Sequence, residues 1–436
     1  MHAAGKTSLM TRLLATLSAH KARSISVAAV ILAILALVGA LLIPGSSKAG
    51  SGDHPATVGS SGSTSPPTSG NCCATSTSPA RKKGTTSTSS TTSTTRGSSA
   101  AGCSQGTGSH AVQLGIDLWW DKRNQKASFR WEEHQAGVII DYIASDLHAN
   151  AVSIGFPIYT SSKTSTSVFT TDQTPSTSEL EMLVNKAKSA GLHVNLRPLL
   201  EVGTSSYVWR GTIHPSNLPA FFLSYFNALR PFLQMAQNDG VPTFDYASEF
   251  ISLTESSSYA KDWATLISDM SGVYHGQLIY AESTAQYNGQ PDVVPDLTEY
   301  GVHSDAYFGD PSGTPSTSEQ TLYDAWAPHF CARSASELSG TVLQEVGTDA
   351  QPVGYKSPST VAGPPTDLQY LNMQKVWFSM VCEIVHHFDL AGVYFWNVAF
   401  TLDPNTGGNS TGLGPTVWTD RPGATAIASC FAGFSH

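Results

Sequence analysis

The part of the chain after residue 110 alternates between short apolar runs and longer amphipathic runs. Short apolar runs predict buried strands, amphipathic runs predict helices, and strands that alternate with helices form a parallel sheet. Eight such units in about 325 residues are typical of a (β/α)8 TIM barrel with insertions. A doubly wound sheet is the alternative, but no glycine-rich phosphate turn follows the first strand. The predicted strands are 112–119, 151–156, 193–199, 243–250, 277–281, 300–307, 341–346 and 392–397.

An uncharged apolar run near the amino terminus, residues 24–43, predicts a membrane segment. Its 20 residues are about what a helix needs to cross a bilayer. Basic residues precede it, so the positive-inside rule keeps residues 1–23 in the cytoplasm as a basic tail and exports the rest. A cleaved signal sequence is the alternative, because small residues follow at a cleavage spacing. We therefore expect either a cell-membrane anchor that presents an extracellular domain, or secretion.

The composition changes again between the apolar run and the predicted barrel. Residues 44–110 are rich in Ser, Thr, Gly and Pro, and residues 85–95 contain only Ser and Thr. Such a segment cannot bury enough apolar surface to offset its ordering entropy, which predicts a disordered linker. The folded domain is therefore predicted to span residues 111–436.

Charge and cysteine spacing exclude several classes of function. Charged residues make up 13% of the chain and its net charge is -9, so it lacks the basic surface that binds nucleic acid. None of the six cysteines has the C-x-x-C spacing of a zinc site, and we expect neither a metal nor a cofactor. Export permits disulfides, although the pairing is open. We expect a monomer that binds a neutral polysaccharide or oligosaccharide.

Carboxylates cluster at the ends of the predicted strands, which is where a TIM barrel has its active site. Glu249 ends the fourth strand and Glu345 ends the seventh, and these strands lie on opposite sides of an eight-stranded barrel. Glycoside hydrolysis needs two carboxyl groups that flank one bond. We therefore predict that these two residues are the catalytic pair; the alternative is that each forms a structural salt bridge.

Aromatic and polar residues at the same strand ends are predicted to bind sugar rings and their hydroxyl groups. Core packing is the alternative for the aromatic side chains, and a surface salt bridge is the alternative for Arg210. The predicted substrate-binding residues are Asp117, Trp120, Arg197, Trp209, Arg210, Asp305, Tyr307, Trp396 and Asn397.

Several stretches, taken in order, resemble clan A glycoside hydrolases and most closely glycoside hydrolase family 113, the β-mannanase-type barrels. The resemblance covers roughly residues 112–434. The stretches that carry it are Trp209-Arg210-Gly211, Gly301-Val302, Asp305-Ala306-Tyr307-Phe308, Gln344-Glu345-Val346-Gly347 and the closing strand from Gly392 to Asn397.

The resemblance implies a retaining hydrolase of β-linked polysaccharide, β-mannan or similar, with Glu345 as nucleophile and Glu249 as acid/base. For a retaining pair we expect the two carboxyl groups to lie about 5–5.5 Å apart. Ser248 stands where most of the clan has an Asn that holds a sugar hydroxyl, so it is also expected to bind substrate. The alternatives are a cell-wall transglycosidase on the same barrel and a non-catalytic carbohydrate-binding barrel.

The chain also departs from the family pattern close to the predicted nucleophile. His303-Ser304 resembles an insertion in the sixth strand, and Gln344 replaces the Thr that precedes the nucleophile in the family.

Overall fold

The computed structural model describes residues 111–122, 127–203, 208–289, 294, 302–309, 317–359, 367–406 and 418–434. The predicted tail, membrane segment and linker lie outside these residues and stay predictions. Within the described ranges, no helix is both long enough and apolar enough to span a bilayer.

The strands of the domain form one sheet that closes on itself. They are β1 (Gln113–Trp119), β2 (Ala151–Thr160), β3 (Val168–Phe169), β4 (His193–Val202), β5 (Thr243–Ser248), β6 (Gln277–Ser283), β7 (His303–Asp305), β8 (Val342–Val346) and β9 (Gly392–Ala399). The neighbours follow the order β1-β9-β8-β7-β6-β5-β4-β2, and a pairing of β1 with β2 closes a parallel barrel of eight strands. The short β3 pairs antiparallel with the end of β2.

The predicted TIM barrel is therefore confirmed, and each of the eight predicted strands overlaps one barrel strand. The sixth is shorter than predicted, because the described part of the run 300–307 is a strand only over His303–Asp305.

Helices surround the barrel and bury their apolar sides against the strands. They are α1 (Phe129–Asp141), α2 (Thr177–Ser189), α3 (Leu218–Asn238), α4 (Ala260–Ser271), α5 (Thr284–Tyr287), α6 (Glu319–Cys331), α7 (Ala335–Leu338), α8 (Pro352–Lys356), α9 (Leu368–His387) and α10 (Pro422–Phe434). In α3 the side chain of Asn217 caps the first turn, and Phe222, Tyr225, Leu229 and Leu233 recur at helical spacing and are buried.

A disulfide bond between Cys382 and Cys430 joins α9 to α10. The sequence left the pairing of the cysteines open, and the packing of these two helices brings the two Cα atoms to 5.9 Å.

Register irregularities between strands change which side chains face the barrel axis. Asp305 pairs with Glu345 while Ser304 pairs with Leu343, so Gln344 is an extra residue in β8. A second irregularity lies in β5 between Asp245 and Ala247. Because a bulge interrupts the alternation of side chains, residues an odd number of positions apart can face the same side.

Candidate active site

A cavity of about 1020 Å³ opens at the carboxyl ends of the barrel strands, where both predicted catalytic glutamates reach it. Its functional lining consists of Trp119, Glu201, Trp209, Arg210, Glu249, Tyr307, Glu345 and Trp396. The barrel thus brings Glu249 of the β5 end and Glu345 of β8 to one open cavity. Asp117, Arg197, Ser248 and Asp305 are buried and lie outside its lining.

Two donors hold Glu345, one on β4 and one in the segment that follows β7. Nη1 of Arg197 lies 2.7 Å from Oε2 of Glu345, and the hydroxyl of Tyr307 donates a hydrogen bond to Oε1. Burial and then the negative charge of Glu345 raise the pKa of Tyr307 well above its usual value, so this phenol keeps its proton and acts as a donor. Both carboxylate oxygens therefore have a defined partner, which fixes the orientation of the side chain in the cavity.

Arg197 also binds three buried carboxyl groups beneath the cavity. Its guanidinium lies 2.6 Å from Asp305, 2.9 Å from Asp245 and 3.6 Å from Asp117, and it donates to Ser248 at 3.2 Å. Burial raises the pKa of Asp117 to about 8 and that of Asp245 to about 7, although Arg197 opposes both shifts. Near neutral pH the cluster therefore carries fewer negative charges than its four carboxyl groups would suggest.

Glu249 follows the last residue of β5 with a φ of 56°, in the left-handed region that a non-glycine residue rarely adopts. Its N–H donates to the carbonyl oxygen of Ala281 on β6 at 2.9 Å, which ties this strained residue to the barrel. Nε1 of Trp209 lies 2.8 Å and Nη1 of Arg210 lies 3.2 Å from Oε2 of Glu249.

The charge environment of Glu249 favours a protonated carboxyl group. Burial is the largest effect and raises the pKa of Glu249, Arg210 opposes it, and the negative charge of Glu345 raises it further. A carboxyl group with a raised pKa retains a proton that it can donate near neutral pH.

Gly211 gives Trp209 the space that it needs beside Glu249. A Cβ atom added at Gly211 would lie 2.7 Å from two ring atoms of Trp209, closer than non-bonded atoms approach. All three residues of the Trp209-Arg210-Gly211 stretch thus have a role, since two donate to Glu249 and the third provides the room for the indole.

The aromatic wall of the cavity corrects one predicted residue. Trp120 is fully buried and stacks on Phe400 at a centroid distance of 3.8 Å, whereas Trp119 lines the cavity with its ring 5.8 Å from that of Trp396. Neighbouring residues of an extended chain point to opposite sides, so only one of the two tryptophans can face the cavity. The structure selects Trp119, and the packing alternative holds for Trp120.

Asn397 is half-buried on β9 and does not line the cavity, whereas Trp396 beside it does. The indole N–H of the buried Trp418 donates to the carbonyl oxygen of Trp396 at 2.8 Å. This bond supports the backbone of Trp396, one of the predicted substrate-binding residues.

Three residues outside the predicted set also belong to the site. Asp245 binds Arg197, Glu201 contacts Arg210 at 3.6 Å, and Thr284 accepts from the N–H of Tyr307 at 2.9 Å and donates to the carbonyl oxygen of Asp305. The available signal for Glu201 was its place near the end of β4, and the signal for Asp245 was its place on β5, the strand that leads to Glu249. In a regular strand the side chains of Asp245 and Ser248, three positions apart, would face opposite sides. The β5 bulge brings them to the same side.

His303 and Gln344, which depart from the family pattern near the predicted nucleophile, contact each other in the barrel. Nδ1 of His303 on β7 lies 2.9 Å from Oε1 of Gln344 on β8, and both side chains are buried. Gln344 is the extra residue that precedes Glu345, so the pair spans the bulge beside the predicted nucleophile.

Potential metal ligands do not gather in this part of the chain. Across the described ranges, no group of three or more His, Cys, Asp or Glu side chains is placed to hold a metal ion.

The family model of Glycoside Hydrolase Family 113 matches residues 120–406, about two thirds of the chain. The chain belongs to glycoside hydrolase family 113. Membership of this family and the barrel support a glycoside hydrolase. The match covers the barrel strands from β2 to β9 and both glutamates of the cavity.

Solved structures agree with the fold of this family member. A GH113 β-1,4-mannanase, solved as a complex, has a TM-score of 0.59 at 17% identity, over 74% of this chain and 99% of that one. The GH113 β-mannanase AaManA from Alicyclobacillus acidocaldarius, in complex with ManMIm, has a TM-score of 0.57 at 16% identity, over 74% of this chain and 98% of that one. At this identity the likeness establishes the barrel alone. No curated protein matches the chain.

Proposed function

We propose that this family 113 protein is a retaining hydrolase of β-linked polysaccharide, with Glu345 as the nucleophile and Glu249 as the acid/base. The observation that carries the proposal is the contrast between two carboxyl groups of one cavity. Arg197 and Tyr307 hold the two carboxylate oxygens of Glu345, whereas burial favours the protonated form of Glu249. Pairs of carboxyl groups whose environments differ in this way supply an acid and a nucleophile.

In the first step a carboxylate oxygen of Glu345 attacks the anomeric carbon and forms a glycosyl ester. The bond from that carbon to the leaving oxygen breaks, and Glu249 gives its proton to this oxygen. In the second step Glu249 takes a proton from water, the water oxygen attacks the anomeric carbon, and the ester bond to Glu345 breaks. The sum is the addition of one water molecule with retention of configuration. Arg197 and Tyr307 keep the attacking carboxylate oriented throughout.

β-Mannan, or a polysaccharide similar to it, is the proposed substrate. Two observations support this choice: two of the similar solved structures are named β-1,4-mannanase and β-mannanase, and the cavity has Trp119, Trp209 and Trp396 on its walls. Ligand pockets are lined largely by aromatic side chains, and indole rings stack on the apolar faces of pyranose sugars.

The test uses the full-length protein with a panel of β-mannan, β-glucan and galactan, followed by NMR of the first product formed. Wild-type protein is expected to release the β-anomer from β-mannan. Release of the α-anomer would show inversion and overturn the two-step mechanism, and turnover of another polysaccharide would overturn only the substrate. Products longer than the starting oligosaccharide would instead identify a transglycosidase.

Two variants separate the roles of the glutamates. Glu345→Ala should reduce turnover to background, and azide should restore it with an inverted glycosyl azide. In Glu249→Ala, turnover of polysaccharide should fall about 10²–10⁴-fold, and turnover of an activated aryl glycoside should fall much less. Azide should then yield the retained glycosyl azide. Exposed Glu133 on α1 supplies the control, because Glu133→Ala should behave as wild type. Opposite azide products would reverse the two roles, and normal turnover in both variants would leave the barrel without this catalytic pair.

We further propose that the protein works outside the cytoplasm, either anchored through residues 24–43 or secreted. The Cys382–Cys430 disulfide supports this location, because such bonds persist in oxidising compartments. Protease treatment of intact cells tests it. Digestion of the barrel in intact cells, or recovery of the barrel from the medium, is expected, and complete protection inside intact cells would contradict it.

A further inference from the structure

Arg210 contacts two carboxylates at the wall of the cavity. Its Nη1 lies 3.2 Å from Oε2 of Glu249, and its Nη2 lies 3.6 Å from Oε1 of Glu201. Its Nε donates to the carbonyl oxygen of Leu200 at 3.3 Å, so the backbone of β4 holds the guanidinium between the two acids. All three charged side chains are mostly buried, with exposures of 11% for Arg210, 15% for Glu249 and 20% for Glu201.

A single strand supports both glutamates of the proposed mechanism. Arg197 and Glu201 are four residues apart on β4, and side chains separated by an even number of residues in a strand share a face. Arg197 binds Glu345, and Glu201 contacts the guanidinium that binds Glu249. The strand thus acts on each catalytic carboxyl group through one arginine.

We infer that Glu201 is a positioning residue for the proton donor, because it competes with Glu249 for the guanidinium of Arg210. This inference rests on the proposed function, in which Glu249 is the acid/base. Glu201 is not required for the chemical steps, since it acts through Arg210.

The sign of the effect follows from the charges. With Glu201 ionised, the positive charge of Arg210 is divided between two carboxylates, and the negative charge of Glu201 itself disfavours ionisation of Glu249. Removal of that charge strengthens the attraction between Arg210 and Glu249. Both changes stabilise the ionised form of Glu249 and therefore lower its pKa. The donor would then lose its proton at a lower pH than in the wild type.

The remaining charged and titratable groups around Glu249 stay unchanged in such an experiment. Glu345 raises its pKa while Trp209 and Arg197 lower it, and Asp305 and Tyr307 interact with it from the β7 side. A change confined to Glu201 therefore reports on the Arg210 contact.

The test compares the pH dependence of kcat/KM on β-mannan for full-length wild type, Glu201→Gln and Glu201→Asp. In the wild type the basic limb reports loss of the proton from the donor. In Glu201→Gln this limb should move to lower pH, by a few tenths of a unit up to about one unit. Glu201→Asp keeps the negative charge, so its basic limb should lie between those of Glu201→Gln and the wild type. Glu133→Gln removes one exposed carboxylate that does not line the cavity and should leave the limb in place.

Two results would overturn the inference. One is an unshifted basic limb in Glu201→Gln, and the other is a higher KM at every pH with no shift, which would identify Glu201 as a substrate contact. Failure of the proposed function looks different, because Glu249→Ala would then retain turnover. A carbon NMR titration of the Glu249 carboxyl group, assigned with Glu249→Gln, gives the same comparison without any substrate. An unchanged titration in Glu201→Gln would equally reject the inference.

Discussion

Nη1 of Arg197 lies 2.7 Å from Oε2 of Glu345, and the same guanidinium lies 2.6 Å from Asp305. The two carboxyl groups belong to adjacent strands whose register pairs them directly. One planar cation can serve both because its N–H donors point in fixed directions within one plane. The orientation of the proposed nucleophile thus depends on a residue that lies outside the lining of the cavity.

Replacement of Arg197 by Lys should impair turnover without a comparable effect on substrate binding. An ammonium group keeps the charge but cannot reach Glu345, Asp305 and Asp245 together, so Glu345 would lose its fixed orientation. We expect kcat to fall about 10²-fold, the typical cost of a small misplacement of a reacting group. Steady-state kinetics on β-mannan measures this, with exposed Arg130→Lys as the control. A kcat equal to that of the control would contradict the role of Arg197.

The buried acids should make stability fall as the pH rises. The pKa of Asp117 is about 8 in the folded protein against an ordinary 3.8, so the folded state holds this proton more tightly than the unfolded chain. Its contribution is fully present below the ordinary value and is lost as the pH rises to about 8. Asp117→Asn removes this titration, so its free energy of unfolding should fall less steeply with pH.

Urea unfolding at several pH values between about 4 and about 8 checks the Asp117 prediction, since this is the window set by its two pKa values. Asp172 is exposed, so Asp172→Asn should keep the wild-type slope. Parallel curves for Asp117→Asn and the wild type would show that Asp117 does not hold its proton in the folded state.

A methyl group at Gly211 should disturb Glu249, the proposed proton donor, by displacing Trp209. In Gly211→Ala the new Cβ would meet the ring of Trp209 at 2.7 Å, so the indole must move and its bond to Glu249 weakens. We expect a loss of between about 10- and 100-fold in kcat/KM on β-mannan. Gly137 on α1 has open space around its Cβ position, so Gly137→Ala should keep full activity and add about 0.5–1 kcal/mol of stability. Equal activity in the two variants would refute the steric argument.

The contact between His303 and Gln344 should appear as a coupling between the two residues. Alanine at either position removes the hydrogen bond, so the double variant should be less destabilised than the sum of the single variants by about 1 kcal/mol. Chemical unfolding of the wild type, the two single variants and the double variant measures the coupling. His134 is exposed, so His134→Ala combined with Gln344→Ala should give additive effects and serves as the control. Additive effects of His303→Ala and Gln344→Ala would mean that the pair does not act as a unit.

The order of strands and helices was readable from the sequence, because the alternation of short apolar and longer amphipathic runs reports which side of each element is buried. The two glutamates were readable for a related reason. In a parallel barrel every strand ends at the same rim. It was therefore possible to predict, before any contact was known, that Glu249 and Glu345 reach one cavity from opposite strands.

Two features followed only from the assembled fold. One is which side chains near the strand ends face the cavity, and the other is which residues pair with the buried charges. Local sequence does not distinguish Trp119 from Trp120, because both are large and apolar and only the packing of Phe400 assigns one of them to the core. The β5 and β8 bulges break the two-residue period, which places Asp245 beside Ser248 and Gln344 beside His303.

The Arg197 cluster shows the same limit at long range. Its carboxyl groups come from β1, β5, β7 and β8, and Glu345 lies 148 residues from Arg197 along the chain. The positions of the acidic and aromatic residues along the chain were enough to predict an acidic and aromatic rim. Which acid pairs with which arginine depends on strand register and closure of the barrel, because a buried charge takes the partner that the assembled fold brings within reach.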